Sequence, residues 1–501
     1  MTKTFDCLFL HPSHHNGTPG YMVMPLGIVS LASELAENGF ETRIIHVGLE
    51  KILNHNFQIK DFLKTNIVKI IAIDLHWTRH AYAAIRLAED CKRIQQDTYV
   101  VLGGFTASFF DMEILQNFQF VDAIIRGEAE TSLLELVNNV TRKRNRSSIP
   151  NVTLRNGSNL KRNPIGYLDD TEIFSNRNFT DLSLIEHGNE YLKIVKPLPF
   201  AQAWIYKKIL PKLKDYDLNW LNYLRRGYVA ASRGCSFNCS NCGGGRDAHY
   251  IISGRKEPIL RSADRVVEDI IQWNEYGVRQ LHIEPDPCPG YKSWYSTLFK
   301  KIREEGVDIA ADYYPRALPD KEFVYEFART FDPYLSKLVI SPESGSERVR
   351  RINNFHHFYS NKELFKILAL LEAQGVMAEL YFSVGNSGET LDDFYTTSRM
   401  AEAILNEHRN IVGLCCHPVD VEPCAPCYLK PEKYGVKLYR KTFMEFLDFE
   451  RRKSLGEFVE HPLGYRTKHM SEADMAFLSR NFANMVRRIN VISGLGVDHS
   501  T

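Results

Sequence analysis

The order of apolar and polar positions along this chain predicts strands and helices that alternate. Short apolar runs rich in β-branched residues, such as 67–73, are typical of buried parallel strands. Segments such as 26–38 instead have apolar residues at helical spacing, and this one ends at Gly39, a usual helix terminator. The alternation fills the first 140 residues and resumes at Gly227. It predicts an α/β fold with parallel sheets.

The N-terminal alternation predicts a doubly wound, Rossmann-like sheet. Its strands are expected at 6–10, 40–47, 67–73, 99–102 and 121–125, with helices at 26–38, 80–95 and 126–140. Ligands of such sheets bind outside the carboxyl ends of the strands. The loops after Leu10, Ile73, Leu102 and Ile125 should therefore line one crevice.

The later alternation gives six further strand–helix repeats. The strands are expected at 228–232, 279–284, 307–313, 337–341, 377–384 and 411–415. A closed eight-stranded barrel takes about 250 residues, and this stretch is shorter. We expect four regions: a first domain over 1–142, a linker over 143–224, an incomplete barrel over 225–420 and a helical C-terminal cap over 421–501.

The amino-acid composition excludes or disfavours several classes of function for this protein. The 501 residues suit two or three domains. Lys plus Arg number 62 against 61 Asp plus Glu, a balance that disfavours a nucleic-acid partner. The sequence has no apolar run of about 18 residues, so a membrane span is not expected. Ten cysteines are too few for a disulfide framework, and the N-terminus is typical of a first strand, so a cytoplasmic location is expected.

Three cysteines carry the most specific chemistry. Cys235, Cys239 and Cys242 have the spacing Cys-x3-Cys-x2-Cys. Thiolates are the usual ligands of iron–sulfur clusters, and a cubane cluster takes four. Three protein thiolates leave one iron open for a substrate or cofactor. Two alternatives remain, a structural zinc site and a set of buried free cysteines.

This motif resembles the signature of the radical S-adenosylmethionine (radical SAM) enzymes. The resemblance implies a [4Fe–4S] cluster on Cys235, Cys239 and Cys242, with SAM chelating the open iron. Reductive cleavage would then give a 5′-deoxyadenosyl radical that takes a hydrogen atom from the substrate. The family usually has an aromatic residue before the third cysteine, where this chain has Asn241. Phe237 is a candidate substitute for the adenine contact.

Segments at the ends of later strands also resemble SAM-binding elements of this family. They are 281–286 with Glu284, 341–347 with Glu343, and 382–390 with Gly385. Carboxylates suit a ligand that carries an ammonium and a sulfonium group. The alternatives are that Glu343 caps a turn and that Glu389 stabilises a helix N-terminus. The resemblance thus implies these SAM-binding residues: Phe237, Gly243, Gly244, Glu284, Glu343, Ser344 and Gly385.

The N-terminal region resembles the cobalamin-binding domain that precedes the radical SAM domain in one branch of the family. Three segments carry the likeness: 24–27, 100–108 and 126–130. Glycines after a strand allow a bulky ligand to approach the backbone, although such glycines are often only tight turns. The resemblance implies these cobalamin-binding residues: Pro25, Leu26, Gly27, His76, Gly103, Gly104, Thr106, Gly127 and Glu128.

The axial ligand of cobalt is a separate question. The region has no Asp-x-His-x-x-Gly motif, which supplies a histidine to cobalt in other cobalamin proteins. By resemblance, its absence implies cobalt without a protein imidazole. His76 or His80 could contact the corrin, and His14 and His15 lie in a predicted loop. A lone histidine is more often structural.

A second group of cysteines comprises Cys415, Cys416, Cys424 and Cys427. Four thiols could hold an auxiliary cluster or zinc, and a single one could donate a hydrogen atom or a proton to the substrate. Neighbours on a strand point to opposite faces, which argues against Cys415 and Cys416 both being ligands.

As a whole, the chain resembles a cobalamin-dependent radical SAM enzyme. The resemblance implies a methyltransferase that moves a methyl group from SAM, by way of methylcobalamin, to an unactivated carbon. It implies a small-molecule substrate and an electron donor such as flavodoxin or ferredoxin. One alternative is a cobalamin-dependent enzyme that closes or rearranges a ring without methylation. The other is a corrin-binding protein without catalysis.

Overall fold

The computed structural model describes residues 2–12, 24–157, 159–194, 225–284, 291–333, 335–355 and 358–492. They form two compact units, each assembled from separated parts of the chain. The first unit comprises Met1–Tyr191, Ala248–Lys256 and Arg440–Glu460. The second comprises Leu192–Asp247, Glu257–Tyr439 and His461–Thr501. The predicted histidines His14 and His15 and most of the predicted linker after residue 194 lie outside the described residues.

The first unit is built on a seven-stranded sheet with the order β2-β1-β3-β4-β5-β6-β7. Its first five strands are parallel, and β6 and β7 extend the sheet as an antiparallel hairpin. The strands are β1 (Lys3–His11), β2 (Thr42–His46), β3 (Asn66–Asp74), β4 (Tyr99–Gly103), β5 (Ala123–Ile125), β6 (Val152–Asn156) and β7 (Asn159–Arg162). Because the order reverses between β1 and β3, that point is the topological switch of the sheet.

Helices follow the strands of this sheet, as a doubly wound fold requires. In the first 194 residues they are α1 (Leu26–Glu37), α2 (Val47–Leu53), α3 (Ile59–Thr65), α4 (Ala81–Ile94), α5 (Phe105–Phe109), α6 (Asp111–Asn117), α7 (Glu130–Thr141), α8 (Thr171–Ser175) and α9 (Gly188–Ile194), with 3₁₀ turns at Thr78–His80 and Leu182–Leu184. The apolar positions of α4, such as Ala84, Ile85 and Ala88, are buried.

The second unit contains a six-stranded parallel sheet whose strands lie side by side in the order β15-β14-β13-β12-β11-β8. They are β8 (Arg225–Ala230), β11 (Val278–Glu284), β12 (Ala310–Tyr313), β13 (Lys337–Glu343), β14 (Met377–Val384) and β15 (Ile411–Pro418). Two short antiparallel pairs accompany it, β9 (Ser232–Arg233) with β10 (Ile259–Leu260) and β16 (Val436–Leu438) with β17 (Tyr465–Thr467). The parallel register brings the carboxyl ends of the six strands to one edge.

The remaining helices include the connections between these strands. They are α10 (Arg246–Ser253), α11 (Ala263–Glu275), α12 (Lys292–Glu304), α13 (Lys321–Thr330), α14 (Glu347–Ile352), α15 (Asn361–Ala373), α16 (Leu391–Glu407), α17 (Pro426–Leu429), α18 (Pro431–Tyr434), α19 (Phe443–Ser454) and α20 (Glu472–Ile492). Ser360, Thr390 and Thr442 start α15, α16 and α19 with a capping box, in which two backbone N–H groups are satisfied reciprocally.

The fold class predicted from the sequence is confirmed, including a helical C-terminal region in α19 and α20. Two details differ. The turn-rich segment after residue 150, expected in the linker, supplies β6 and β7 to the first sheet because their backbone pairs with β5. The short helices α2, α3, α5 and α6 were not predicted. In the described part of the chain, no helix is long and apolar enough to cross a membrane.

Candidate cluster and cofactor sites

The three cysteines of the motif lie in the loop after β8 and β9, at the carboxyl edge of the second sheet. Cys235 is buried, while Cys239 and Cys242 are partly exposed. The N–H of Phe237 donates to Sγ of Cys235 at 3.4 Å, and the N–H of Gly244 donates to Sγ of Cys242 at 3.4 Å. Backbone donors to sulfur stabilise thiolate ligands and tune iron–sulfur clusters. This donor set therefore fits a cluster.

The zinc alternative finds less support. Within the described ranges, no group of three or more His, Cys, Asp or Glu side chains has the spacing that a single metal ion requires. A tetrahedral zinc ion needs its ligands to converge on one point. A cubane needs less convergence, because each thiolate binds a different iron. Burial, with the Glu422 carboxylate nearby, raises the pKa of Cys242 to about 12, so the unliganded thiol is protonated.

Asn353 and Glu422 hold the cysteine loop in place. Ser240 donates its N–H to the carbonyl of Asn353 at 3.0 Å and its hydroxyl to Oδ1 of Asn353 at 2.6 Å. The amide of Asn353 also donates to the carbonyl of Ser387 at 3.0 Å, and the N–H of Gly243 donates to Glu422 at 2.9 Å. Asn353 was not predicted because a residue at the end of a short helix carries no motif.

Glu343 is the predicted SAM-binding residue with the most unusual geometry. It ends β13 with φ of +63°, a left-handed conformation that few non-glycine residues adopt. Burial raises the pKa of its carboxyl to about 7, although the Ser383 hydroxyl opposes the shift. Constrained backbone of this kind is concentrated at ligand sites. This geometry is consistent with a SAM contact, and the role of Glu343 stays a prediction.

Two predicted SAM-binding glycines are required by the protein's own packing. A Cβ on Gly243 would lie 2.4 Å from the carbonyl of Pro423. A Cβ on Gly385 would lie 2.0 Å from Sδ of Met475 and 2.5 Å from the hydroxyl of Tyr465. For Gly244, in contrast, the one nearby atom in the described part of the chain is Sγ of Cys242, at 3.9 Å. The requirement for glycine at 243 and 385 thus arises without any ligand.

The other predicted SAM contacts are placed as follows. Ser344 is buried, and its hydroxyl lies 3.2 Å from that of Thr397. Phe237 lies in the cysteine loop, and its carbonyl accepts the N–H of Arg246. Glu284 ends β11, but its side chain and residues 285–290 lie outside the described residues. These assignments stay predictions.

Glu389 stabilises the turn that contains Gly385. Its Oε2 accepts the N–H groups of Gly385 and Asn386 at 2.8 and 3.0 Å. Burial raises the pKa of this carboxyl to about 7, against the effect of those hydrogen bonds. This stabilisation of a turn is close to the alternative role considered for Glu389 from the sequence, which was stabilisation of a helix N-terminus.

The predicted cobalamin-binding residues lie at or next to the carboxyl edge of the first sheet. Gly104 has φ of +100°, and a Cβ there would lie 2.8 Å from the backbone of His76. Thr106 donates its hydroxyl to the carbonyl of His76 at 2.8 Å. The ring of Phe105 contacts His76 and also His249, a residue of α10 that sequence analysis missed. The loops after β3 and β4 therefore form one packed structure beside this edge.

Both carboxylate oxygens of Glu128 accept hydrogen bonds from residues of the first unit. Its Oε1 accepts Nε of Arg255 at 2.5 Å, and its Oε2 accepts the N–H of Asp169 at 2.9 Å. A Cβ on Gly127 would lie 2.6 Å from Cβ of Ser253. These contacts explain why glycine at 127 and glutamate at 128 suit the fold even without a ligand. Its cobalamin contact stays a prediction.

The segment 24–27 is the more open part of the predicted cobalamin site. Pro25 precedes α1, Leu26 is its first residue, and both are partly exposed. Gly27 is exposed, and no atom of the described residues lies within 4 Å of a Cβ built on it. A Cβ on Gly103 would have the carbonyl of Ile125 as its one neighbour among the residues that the structure describes, at 3.8 Å.

Among the described residues, the second group of cysteines does not include three side chains placed to hold a single metal ion. Cys415 is partly exposed and Cys416 is buried, as expected for neighbours on a strand. Cys424 and Cys427 are buried in the loop that packs on the cysteine motif, where the N–H of Cys427 donates to the carbonyl of Ser240 at 2.8 Å.

Comparison with protein families identifies both halves of the chain. The family model described as B12 binding domain matches residues 15–137, and that of the Radical SAM superfamily matches residues 229–401. Together they cover more than half of the sequence. The chain belongs to the radical SAM proteins that carry a B12-binding domain. This confirms the predicted family and, at the level of the family, its cofactors cobalamin, SAM and a [4Fe–4S] cluster.

Several curated proteins are similar to this chain over part of their length. An uncharacterized methyltransferase of Pyrococcus horikoshii is 26% identical over 287 residues, which are 57% of this chain and 54% of that one. The hopanoid C-3 methylase of Methylococcus capsulatus is 23% identical over 54% of this chain and 44% of its own. The anaerobic magnesium-protoporphyrin IX monomethyl ester cyclase of Cereibacter sphaeroides is 22% identical over 79% and 59%. The chain thus spans about half the length of the first two.

The fold of this chain is similar, along nearly its whole length, to that of the radical SAM methyltransferase TsrM from Kitasatospora setae. The TM-score is 0.70 at 13% identity, with 98% of this chain and 92% of that one covered. That structure contains cobalamin and a [4Fe–4S] cluster. At this identity the likeness establishes the fold.

Proposed function

We propose that this protein is a cobalamin-dependent radical SAM methyltransferase that acts on an unactivated carbon. The observation that carries the proposal is the loop of Cys235, Cys239 and Cys242 at the carboxyl edge of the second sheet, with backbone N–H groups donated to two of its sulfurs. When bound, the cluster, SAM and cobalamin supply radical formation and methyl transfer. Similarity to two relatives named methyltransferase and methylase supports this reaction type.

The residues proposed to hold these groups divide between the two units. In the second, the three cysteines would bind the cluster, and Glu343 with the backbone at Gly244 would contact SAM. In the first, the loops that follow β1, β3 and β4 would hold cobalamin. A partly buried carboxyl such as that of Glu343 would favour the cationic ligand in its ionised form.

The proposed substrate is a small molecule. The second sheet carries polar side chains. Charged or hydrogen-bonding side chains occur on five of its strands: Arg226, His282, Asp312, Lys337 and Glu379. Arg226 pairs with Asp312, Lys337 pairs with Glu379, and Nη2 of Arg226 lies 2.8 Å from Nδ1 of His282. Asp312 and Lys337 are buried, with 0% and 5% exposure, so these groups do not line an exposed substrate surface. The electron donor is proposed to be a flavodoxin or ferredoxin, as the family match requires a reductant.

Anaerobic turnover with methyl-labelled SAM tests the proposal. We expect labelled product and S-adenosylhomocysteine together with deoxyadenosine. Cys239→Ala should abolish deoxyadenosine formation, while Cys91→Ala, at a buried cysteine of the first unit, serves as the matched control. Deoxyadenosine formation that survives in Cys239→Ala would refute the ligand assignment.

A ring-forming reaction without methyl transfer is the second candidate, because one relative is named as a cyclase. It predicts deoxyadenosine without S-adenosylhomocysteine or labelled product in the same assay. A protein that binds cobalamin but never cleaves SAM would instead be a corrin-binding protein.

A further inference from the structure

Five exposed basic side chains are concentrated on one part of the second unit. They are Lys430 between α17 and α18, Lys433 in α18, Lys437 in β16, Arg466 in β17 and Lys468 directly after β17. The stretches that carry them, 430–438 and 465–468, contain one acidic residue, Glu432. The whole chain has nearly equal numbers of basic and acidic residues, so this concentration is local. We call these five residues the basic surface.

The strand pair β16–β17 brings these side chains together. Lys437 lies directly opposite Arg466 in the antiparallel register, and both are on the exposed face of the pair. The N–H of Lys468 donates to the carbonyl of Gly435 at 2.8 Å. Since Gly435 stands between Lys433 and Lys437 in the sequence, the basic surface is continuous from α18 to the end of the strand pair.

This arrangement has a cost in stability for the protein alone. Like charges directly opposite each other on antiparallel strands are destabilising, because the two side chains repel. The ammonium group of Lys437 lies over the ring of Tyr439, 5.3 Å from its centroid. An aromatic ring attracts a cation but does not cancel its charge. Such a concentration of like charge favours an acidic partner, whose potential is complementary.

The segment that leads into the basic surface packs on the cysteine loop. The N–H of Cys427 donates to the carbonyl of Ser240 at 2.8 Å, and Ser240 lies between Cys239 and Cys242. Lys430 follows Cys427 by three residues. Three residues of extended chain span at most about 11 Å. The basic surface therefore begins within that distance of a backbone contact to the cysteine loop.

The inner face of the strand pair contacts the candidate SAM site. Tyr465 is buried, and its hydroxyl donates to the carbonyl of Gly385 at 3.2 Å. Neighbouring residues of a strand point to opposite faces, so Arg466 is exposed on the other side of β17. The strand pair thus covers the turn at Gly385 with one face and carries basic side chains on the other.

We propose that the basic surface is the docking site of an acidic one-electron donor protein, of the flavodoxin or ferredoxin class. This inference rests on the proposed function, because radical SAM enzymes need a reductant. In each transfer the donor protein is oxidised by one electron and the cluster on the three cysteines is reduced by one, with no bond made or broken. Complementary charge would draw the donor to the part of the second unit where the cysteine loop lies.

Calorimetric titration of the full-length protein with flavodoxin and with ferredoxin tests the docking site. At least one of them should bind at low ionic strength, and the affinity should fall with added salt, because salt screens exposed charges. Combining Lys433→Glu, Lys437→Glu and Arg466→Glu should weaken binding by about tenfold or more. The matched control changes two exposed lysines and one exposed arginine of the connecting helices and should bind like the wild-type protein. It combines Lys300→Glu, Lys366→Glu and Arg329→Glu.

The single variant Arg466→Glu separates docking from stability. It places an acidic side chain opposite Lys437, and opposite charges on paired strands attract. The temperature of thermal unfolding should therefore rise while donor binding weakens. Stopped-flow reduction of the reconstituted cluster by the reduced donor should slow in this variant. Reduced methyl viologen, a small cation that needs no docking surface, should reduce the cluster in both proteins.

Several outcomes would overturn the proposal. They are binding of neither donor by the wild-type protein, unchanged binding in the triple variant, and an equal loss in the matched control. Binding of transfer RNA by the wild-type protein but not by the triple variant, in place of the donors, would assign the surface to a nucleic acid and overturn it too. Reduction of the cluster by the bound donor without any cleavage of SAM would instead overturn the proposed function and leave the docking site in place.

Discussion

At the scale of single residues, a partly buried carboxyl, that of Glu343, and a buried one, that of Glu389, lie in or beside the candidate SAM site and lower the stability of the folded protein at neutral pH. Burial raises the pKa of Glu343 and that of Glu389 to about 7 from an ordinary value of 4.5. Between those pH values the folded protein binds more protons than the unfolded chain. The stability contribution of each group therefore falls as pH rises from about 4.5 through 7, by at most about 3 kcal/mol.

Glu343→Gln should therefore stabilise the ligand-free protein at pH 8 and change little at pH 5, because glutamine cannot ionise. Thermal unfolding at both pH values measures this, with Glu407→Gln at an exposed helix position as the control. Equal effects of Glu343→Gln at the two pH values would contradict the assignment of a raised pKa.

Asn353 should be a structural requirement for the cluster loop. Asn353→Ala removes the acceptor of Ser240 and the donor to Ser387, and leaves buried polar groups without partners. We expect a loss of about 2–4 kcal/mol in unfolding free energy and a lower iron content after anaerobic reconstitution. Iron analysis and denaturant unfolding measure the two effects, and Asn54→Ala, at an exposed residue, is the control. A full iron content in the variant would show that the loop keeps its geometry without this side chain.

At the scale of elements, the buried pair of Glu128 and Arg255 ties the end of α10 to the first sheet unit. Both side chains are 6% exposed. Arg255→Met leaves the carboxylate of Glu128 buried and uncompensated, which typically costs about 3–5 kcal/mol. The exposed pair of Arg265 and Glu268 should matter far less, by about 0–1 kcal/mol for Arg265→Met.

Thermal unfolding of the two variants tests this contrast. Combining Arg255→Met with Glu128→Gln should recover part of the loss, since no charge is then left alone. Equal destabilisation by Arg255→Met and Arg265→Met would show that the buried pair does not link α10 to the first sheet.

The elements also show what a sequence pattern can and cannot predict. The strands of both parallel sheets were predicted because apolar runs bounded by glycine or polar turns mark buried strands. The hairpin of β6 and β7 was not assigned to the sheet, since pairing with β5 depends on distant backbone. Cys235 and its partners were recognisable from spacing, whereas Asn353 and His249 became candidates only through contacts with residues far away in sequence.

At the scale of the whole molecule, the chain divides into two compact units with separate candidate cofactor sites. Ligands stabilise the folded unit that binds them by mass action, by about 2.7 kcal/mol at one hundred times the dissociation constant. Calorimetry should therefore show two transitions. Cobalamin should raise the temperature of one of them, and reconstitution of the cluster with SAM should raise the other. A single transition that responds equally to both would contradict this division.

The glycine at position 385 has a consequence for how related sequences vary. Sδ of Met475 and the hydroxyl of Tyr465 occupy the space where its side chain would begin. A homologue with alanine at 385 should compensate with a shorter residue at 475 or lack the phenol at 465. An alignment should thus show correlated exchange at these three columns, which links the turn after β14 to helix α20.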